Sequence, residues 1–350
     1  MYIVACFVCL ISSFVYSDSE LEKKYLSNVR QLTFSSMGFE RAGEAYFSPD
    51  GNTIVFQAIP VGEKQFQIFT MDLNSGIPIR VSTGKGACTC SYFRPDGKKI
   101  LFASSHESPE NGAWKEQQSS ENGRYKWDLT PYMNIYEADP DGSHLVALTS
   151  GPAYHAECSY SSDGSEIVYA SNQDGSMNLY VMNGDGSNVR QITHTQSSYN
   201  GGPFFSPNGE TIVFRADRER THYLQIYLIN RDGTDERQLT SNQAVNWAPY
   251  WHPNGKMVAY TRSINGHNQY EIYLLNVETG AEYRITYQAS FNGLPTFSSD
   301  GRKLLWTSTR DAQSSQIFIG DFILPEEERR PGVAAERQSP DAFMKAAHGG

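Results

Sequence analysis

The sequence predicts an all-β fold, a six-bladed β-propeller with four strands per blade, in which the N-terminal strand closes the ring. Three observations lead to this prediction. A ten-residue pattern occurs six times, its period is close to 46 residues, and an outer-strand motif that the last repeat lacks is present near the N-terminus. A period of this length suits four short strands, which make up one propeller blade.

The repeated pattern combines a turn with a buried strand. Its six copies are FSPDGNTIVF (47–56), FRPDGKKILF (93–102), YSSDGSEIVY (160–169), FSPNGETIVF (205–214), WHPNGKMVAY (251–260) and FSSDGRKLLW (297–306). Asp or Asn followed by Gly is the residue pair of a tight hairpin turn, because Gly and, less readily, Asn and Asp accept positive φ. The apolar run after each Gly has the composition of a strand that is buried on both faces.

A second motif marks the outer strand of each blade. Five copies follow the repeats, at 79–83 (IRVST), 145–149 (LVALT), 189–193 (VRQIT), 236–240 (ERQLT) and 283–286 (YRIT). The sixth copy, VRQLT at 29–33, precedes the first repeat. The N-terminal strand is therefore predicted to complete the last blade, and closure of this kind removes the open sheet edges that invite aggregation.

The net charge limits the classes of partner, and the N-terminal segment predicts where the protein is located. The net charge of −10 and the pI of about 5.3 disfavour nucleic acid as a partner, because the summed field repels phosphate. An apolar run over residues 2–16 followed by polar sequence predicts a signal peptide at 1–17, and hence a periplasmic or secreted protein with no transmembrane segment after cleavage. The alternative is an uncleaved anchor, although a spanning helix needs roughly 20 apolar residues.

The domain organisation follows from the repeats. Residues 18–322 form the predicted propeller, residues 105–128 a loop insertion in the second repeat, and residues 323–350 a tail that we expect to be disordered. The insertion carries Trp114, Tyr125 and Trp127, which serve either recognition or packing against the blade edge. The predicted mature chain keeps three cysteines, Cys88, Cys90 and Cys158, and an odd number excludes a complete disulfide framework.

The repeated cores resemble those of a known family. The pattern with Asp-Gly or Asn-Gly, the Ile-Tyr strand and the Arg-Gln-Leu-Thr strand are similar to the repeats of TolB-like six-bladed propellers, also described as PD40 or WD40-like repeats, and the resemblance covers residues 28–322. It implies the propeller itself, an export route and partner binding at the propeller face. TolB has an α/β domain before its propeller, and we expect this chain to lack it, because only about ten residues separate position 17 from Val29.

The inner strands supply a candidate site on the propeller axis. Polar residues stand nine residues before four of the repeat glycines (His155, Asn200, Asn246, Asn292) and seven before two of them (Glu44, Glu157). Residues two apart on a strand share a face, so these six are predicted to form a polar ring around the axis. Its oxygen atoms would suit Ca²⁺ better than zinc. The alternative is that these residues line a water-filled channel and bind nothing.

These observations favour a binding protein over an enzyme. The sequence contains no G-x-S-x-G, H-E-x-x-H or Walker motif and no paired C-x-x-C motif. We therefore expect an exported, non-catalytic propeller that binds a protein, or else a glycan, through its axial face. The alternative function is a metal-dependent carbohydrate-active enzyme resembling a polysaccharide lyase, with its site in the central channel, although the inner strands supply only one histidine, His155.

Overall fold

A computed structural model describes residues 18–109, 129–264, 266, 269–310 and 314–329. The predicted signal peptide, most of the 105–128 insertion and the last 21 residues of the predicted tail (330–350) lie outside the described residues. None of the helices in the described part of the chain has the length and apolar character that a membrane crossing requires.

The chain enters the fold through short elements and then builds the first three blades. It begins with α1 (Asp18–Glu22), β1 (Leu26–Gln31) and a 3₁₀ turn (Ser35–Met37). Blade 1 comprises β2 (Phe39–Phe47), β3 (Thr53–Pro60), β4 (Gln67–Asp72) and β5 (Pro78–Arg80). Blade 2 comprises β6 (Cys88–Phe93), β7 (Ile100–Ser104), β8 (Asn134–Ala138) and β9 (Val146–Ala147). Blade 3 comprises β10 (His155–Tyr160), β11 (Glu166–Ser171), β12 (Asn178–Asn183) and β13 (Arg190–Gln191).

Three more blades complete the ring. Blade 4 comprises β14 (Asn200–Phe205), β15 (Thr211–Ala216), β16 (Gln225–Asn230) and β17 (Arg237–Gln238). Blade 5 comprises β18 (Asn246–Trp251), β19 (Met257–Ile264), β20 (Gln269–Asn276) and β21 (Glu282–Arg284). Blade 6 comprises β22 (Asn292–Phe297), β23 (Lys303–Ser308), β24 (Gln316–Phe322) and β1, and α2 (Glu326–Arg329) follows it. The prediction of six four-stranded antiparallel blades is confirmed.

The N-terminal strand closes the ring as predicted. Strand β1 pairs antiparallel with β24, with Leu26 opposite Phe322 and Gln31 opposite Phe318. The Thr33 hydroxyl then accepts a hydrogen bond from the Ile317 N–H at 2.9 Å and donates one to Gln316 Oε1 at 2.7 Å. Blade 6 therefore contains strands from both ends of the propeller, and β1 covers the edge of β24 that would otherwise be unpaired.

A hydroxyl performs the same task in every blade, and it is buried in all of them except blade 2, where Thr149 is partly exposed. Five of these hydroxyls belong to the predicted threonines, and each accepts a hydrogen bond from one backbone N–H in the third strand of its blade. They are Thr33, Thr149, Thr193, Thr240 and Thr286. In blade 1 the hydroxyl belongs to Ser82 and not to Thr83, with the Ile68 N–H at 3.0 Å. The strand register decides this, because Arg80 lies opposite Phe69 and the hydroxyl must come two residues later.

The core of the fold lies between the blades. The aromatic residue five positions after each repeat glycine is buried, with at most 1% of its surface exposed, in all six blades (Phe56, Phe102, Tyr169, Phe214, Tyr260, Trp306). In four blades this ring stacks on an aromatic ring of the next strand, with centroid distances of 5.9 Å for Phe56 and Phe69 and 5.7 Å for Tyr169 and Tyr180 among them. Such pairs contribute beyond the burial of their area.

A buried ion pair attaches α1 to blade 6. Arg310 Nη1 lies 2.6 Å from Glu22 Oε1, and both residues are buried. Glu22 Oε2 also accepts the Tyr287 N–H at 3.0 Å, and Arg310 donates to Asn292 Oδ1. Because a buried charge that loses its partner is costly, this pair fixes the segment that leads into β1.

We predict that Glu22→Gln lowers the free energy of unfolding by about 2–4 kcal/mol, because the Arg310 guanidinium then stays buried without a carboxylate. Urea unfolding followed by circular dichroism measures this loss. The matched control is Glu20→Gln, which removes an exposed pair with Lys23 and should change stability by less than about 0.5 kcal/mol. Equal effects of the two substitutions would contradict the role of Glu22 in closure.

Candidate functional site

Every inner strand carries a bulge at the same position. Its left-handed residue stands seven positions before the repeat glycine, with φ between 48° and 57°, in all six blades (Glu44, Cys90, Glu157, Gly202, Ala248, Leu294). The strand register shifts next to each of these residues. A bulge breaks the alternation of faces, so the sequence argument that residues two apart on these strands share a face does not apply here.

The three predicted asparagines join neighbouring blades. Asn200, Asn246 and Asn292 have no exposed surface. Their Nδ2 atoms donate across the blade boundary, to Met177 O at 2.8 Å, Gln225 Oε1 at 2.8 Å and Glu271 Oε2 at 3.1 Å respectively. These amide groups are therefore engaged in holding adjacent blades together.

His155 occupies the same position in blade 3. It is buried, its Nδ1 lies 3.0 Å from Ser171 Oγ, and its ring lies 6.1 Å from that of Tyr169. Burial lowers the pKa of His155 to about 4, so the imidazole is neutral at physiological pH. Its environment is that of a packed core residue.

Of the six predicted site residues, the structure brings Glu44 and Glu157 together. Glu157 is saturated, because its carboxylate lies 3.0 Å from Arg215 Nη2 and accepts hydrogen bonds from the Tyr199 hydroxyl at 2.6 Å and from the Gly202 N–H. Glu44 is half-buried and accepts hydrogen bonds from the Tyr46 hydroxyl at 3.3 Å and from the Cys90 thiol. Within the described residues no cation forms an ion pair with Glu44.

Burial and charge raise the pKa of Glu44. Removal from water is the larger cause, repulsion from Glu157 is the second, and together they raise the pKa of Glu44 to about 7 although Arg215 lowers it. Burial likewise raises the pKa of the Cys90 thiol well above its ordinary value, and repulsion from Glu44 adds to this effect. Cys88, Cys90 and Cys158 are free, buried thiols.

The sequence prediction missed Arg215 and Tyr199. Arg215 lies on the second strand of blade 4, six residues after the repeat glycine, where the other blades carry Gln57, Ala103, Ala170, Thr261 and Thr307. The single charge in this column was a readable signal, and in the structure Arg215 reaches Glu157 of the preceding blade and the hydroxyl of Tyr199. We call the group formed by Glu44, Cys90, Glu157, Tyr199 and Arg215 the axial mouth.

Aromatic side chains fill the axis below the axial mouth. Tyr46, Tyr92, Phe204 and Tyr250 stand five residues before the repeat glycine in blades 1, 2, 4 and 5. Opposite blades meet only at the axis, and here Tyr46 contacts Phe204 at 5.8 Å while the hydroxyls of Tyr92 and Tyr250 lie 3.3 Å apart. The expectation of a water-filled channel is therefore wrong at this level, because this aromatic plug occupies it.

Small residues in the two remaining blades make the plug possible. At the same position blade 3 carries Ser159 and blade 6 carries Thr296. Their hydroxyls donate to backbone carbonyls of the next blade, to Pro203 O at 3.0 Å and to Ala45 O at 2.7 Å. Glu44 lies two residues before Tyr46, so the axial mouth lies on the side of the plug at which the inner strands begin.

The described residues contain no group of three or more His, Cys, Asp or Glu side chains that could hold a metal ion. The Glu157 oxygens already accept donors from blade 4. Calcium at the axis therefore stays a prediction from the sequence.

Comparison with known proteins identifies the repeat. Residues 128–268 match the family model of the TolB beta propeller domain. Similar solved structures include a putative TolB from Agrobacterium tumefaciens (18% identity, 81% of this chain, 91% of that chain, TM-score 0.56) and TolB from Acinetobacter baumannii (17%, 81%, 63%, 0.53). Another is oligogalacturonate lyase from Vibrio parahaemolyticus (16%, 85%, 94%, 0.56). At these identities the solved structures establish a common fold.

We predict that Glu44→Gln stabilises the protein at pH 8 by roughly 1–3 kcal/mol and has little effect at pH 5. The folded protein binds this proton more tightly than the unfolded chain, since the pKa rises from 4.5 to about 7, so Glu44 costs stability as the pH rises through that range. Urea unfolding at pH 5, 6, 7 and 8 measures the difference.

The matched variant is Glu157→Gln, which weakens the contact with buried Arg215 and should destabilise the protein at both ends of this pH range. A Glu44→Gln protein whose stability keeps the wild-type dependence on pH would contradict the raised pKa.

Proposed function

Because this chain carries a six-bladed β-propeller of the TolB-like kind, we propose that it is an exported, non-catalytic platform that binds a protein partner through the axial mouth. The observation that carries the proposal is the asymmetry of the axis. The aromatic plug fills one level, and the half-buried carboxyl of Glu44 lies beyond it on the side where the inner strands begin. The apolar run at residues 2–16 supports export to the periplasm or the medium.

The residues outside the axial mouth also support it as the binding site. The repeat glycines form turns, the aromatic columns pack between blades, and the asparagine amides join one blade to the next. These residues are explained by the fold alone. The axial mouth gathers two carboxylates and a guanidinium from three blades.

The glycan and lyase alternatives receive less support. Two carboxyl groups against one guanidinium would repel the acidic sugars that a uronate lyase must bind. His155 is neutral, buried and hydrogen-bonded to Ser171, and so it is poorly placed to hold a metal ion. The likeness to oligogalacturonate lyase concerns the fold, and fold alone does not assign a reaction.

We predict that a photo-crosslinking amino acid at Leu294, beside the axial mouth, captures a protein partner in the envelope or medium fraction of the source cells. Leu294 is half-buried and occupies the left-handed position of blade 6, so a long side chain there should reach a bound partner. Mass spectrometry of the adducts identifies the partner. The control is the same amino acid at Asn254, in the exposed hairpin turn of blade 5.

Adducts that form equally from both positions, or only from Asn254, would contradict binding through the axial mouth. Cleavage of an oligogalacturonate with added Mn²⁺ or Ca²⁺ that is lost in a His155→Ala protein would instead make the chain an enzyme.

A further inference from the structure

Three partly exposed aromatic rings lie together between blades 5 and 6. Trp247 lies 6.3 Å from Tyr270 and 6.3 Å from Phe291, and Tyr270 lies 5.7 Å from Phe291, measured between ring centroids. All three residues are partly exposed, although most other aromatic side chains of the blades are buried. We call Trp247, Tyr270 and Phe291 the aromatic rim. Aromatic groups that keep part of their surface accessible are common at binding surfaces.

The aromatic rim is continuous with the axial mouth. Phe291 Cζ lies 2.9 Å from the position that a Cβ of Gly293 would take, so the ring covers this glycine. Gly293 pairs with Thr307, whose Oγ1 accepts the Glu44 N–H at 2.9 Å. On the blade 5 side, Trp247 directly precedes Ala248, which holds the same left-handed position as Glu44.

The charges of the axial mouth leave one carboxyl unmatched. Arg215 pairs with Glu157 at 3.0 Å, and the same carboxylate also takes the Tyr199 hydroxyl. Glu44 accepts hydrogen bonds from the Tyr46 phenol and the Cys90 thiol, and no cation of the described residues forms an ion pair with it, although Arg215 is near enough to lower its pKa. A positively charged group that entered the mouth would therefore find Glu44 available and Glu157 occupied.

We propose that the axial mouth selects a partner segment that places an arginine or lysine side chain against Glu44 and an adjacent apolar residue against the aromatic rim. The inference rests on the proposed protein-binding function and names the chemistry of the partner. Complementary charge fits the unmatched carboxyl, and the aliphatic stem of a basic side chain can lie along aromatic rings while its head stays polar. A neutral sugar would occupy the rim and leave Glu44 without a counter-charge.

This recognition should depend on pH. The groups that face Glu44 are Glu157, Arg215, Tyr46 and Cys90, and burial with repulsion from Glu157 raises the pKa of Glu44 to about 7. A bound cation favours the ionised carboxyl and lowers its pKa, so binding near neutral pH releases a proton. Affinity should therefore rise between pH 5.5 and pH 8 and level off above that range.

The test compares two blocked tripeptides in titration calorimetry with the full chain. Acetyl-leucyl-arginyl-leucine amide is the cationic probe, and the same peptide with glutamine in place of arginine is the neutral control. We expect the cationic peptide to bind about tenfold more tightly at pH 8, and this ratio to fall at pH 5.5. Measurement in two buffers of different ionisation enthalpy reports the released proton.

Three variants separate the contributions. Glu44→Gln should remove the preference for the cationic peptide, and Trp247→Ala should weaken both peptides to a similar degree. Glu278→Gln is the matched control, because Glu278 is exposed and lies 3.8 Å from Lys256, and it should change neither affinity.

Equal binding of the two peptides to the wild type, or no binding of the cationic peptide at millimolar concentration, would overturn the inference. A preference that survives Glu44→Gln would overturn it as well. Each of these results leaves the crosslinking experiment at Leu294 unaffected, so failure of this inference is distinguishable from failure of the proposed function.

Discussion

Ring closure is the constraint on which the rest of this structure depends. The ring here is closed by strands from both ends of the propeller, because β1 pairs with β24 in blade 6. The Thr33 hydroxyl and the Glu22–Arg310 ion pair fix the two ends of the joining segment. Because every blade packs on two neighbours, loss of this joint would expose both the edge of blade 6 and the packed face of blade 1.

Within the closed ring, the inner strands share one backbone and differ in their side chains. The left-handed bulge recurs in the inner strand of all six blades, at the residue seven positions before the repeat glycine. Four blades contribute the aromatic plug, while Ser159 and Thr296 in the two opposite blades make room for it. The backbone of the inner strand is the same in all six blades, and the blades differ in the side chains that they place at the axis.

The axial mouth forms where blade 3 departs from the repeat. In blade 1 the Gln57 side chain accepts the inner-strand N–H of the next blade, whereas blade 3 has Ala170 at the same position and offers no side-chain acceptor. Glu157 takes over this task, and its charge is balanced by Arg215. Glu44 forms no ion pair among the described residues, and its removal from water, with repulsion from Glu157 as the second cause, raises its pKa to about 7.

The sequence alone determined the number of blades, the turns and the closing strand, because these follow from the repeats and from side-chain types. It did not determine the bulge, because no residue type marks the left-handed position. Glu, Cys, Gly, Ala and Leu all occupy it. His155 and the three asparagines were therefore assigned to the axis, although they hydrogen-bond within and between blades. Arg215 and the aromatic plug meet Glu157 and one another across different blades, and contacts of that kind depend on ring closure, which only the tertiary structure decides.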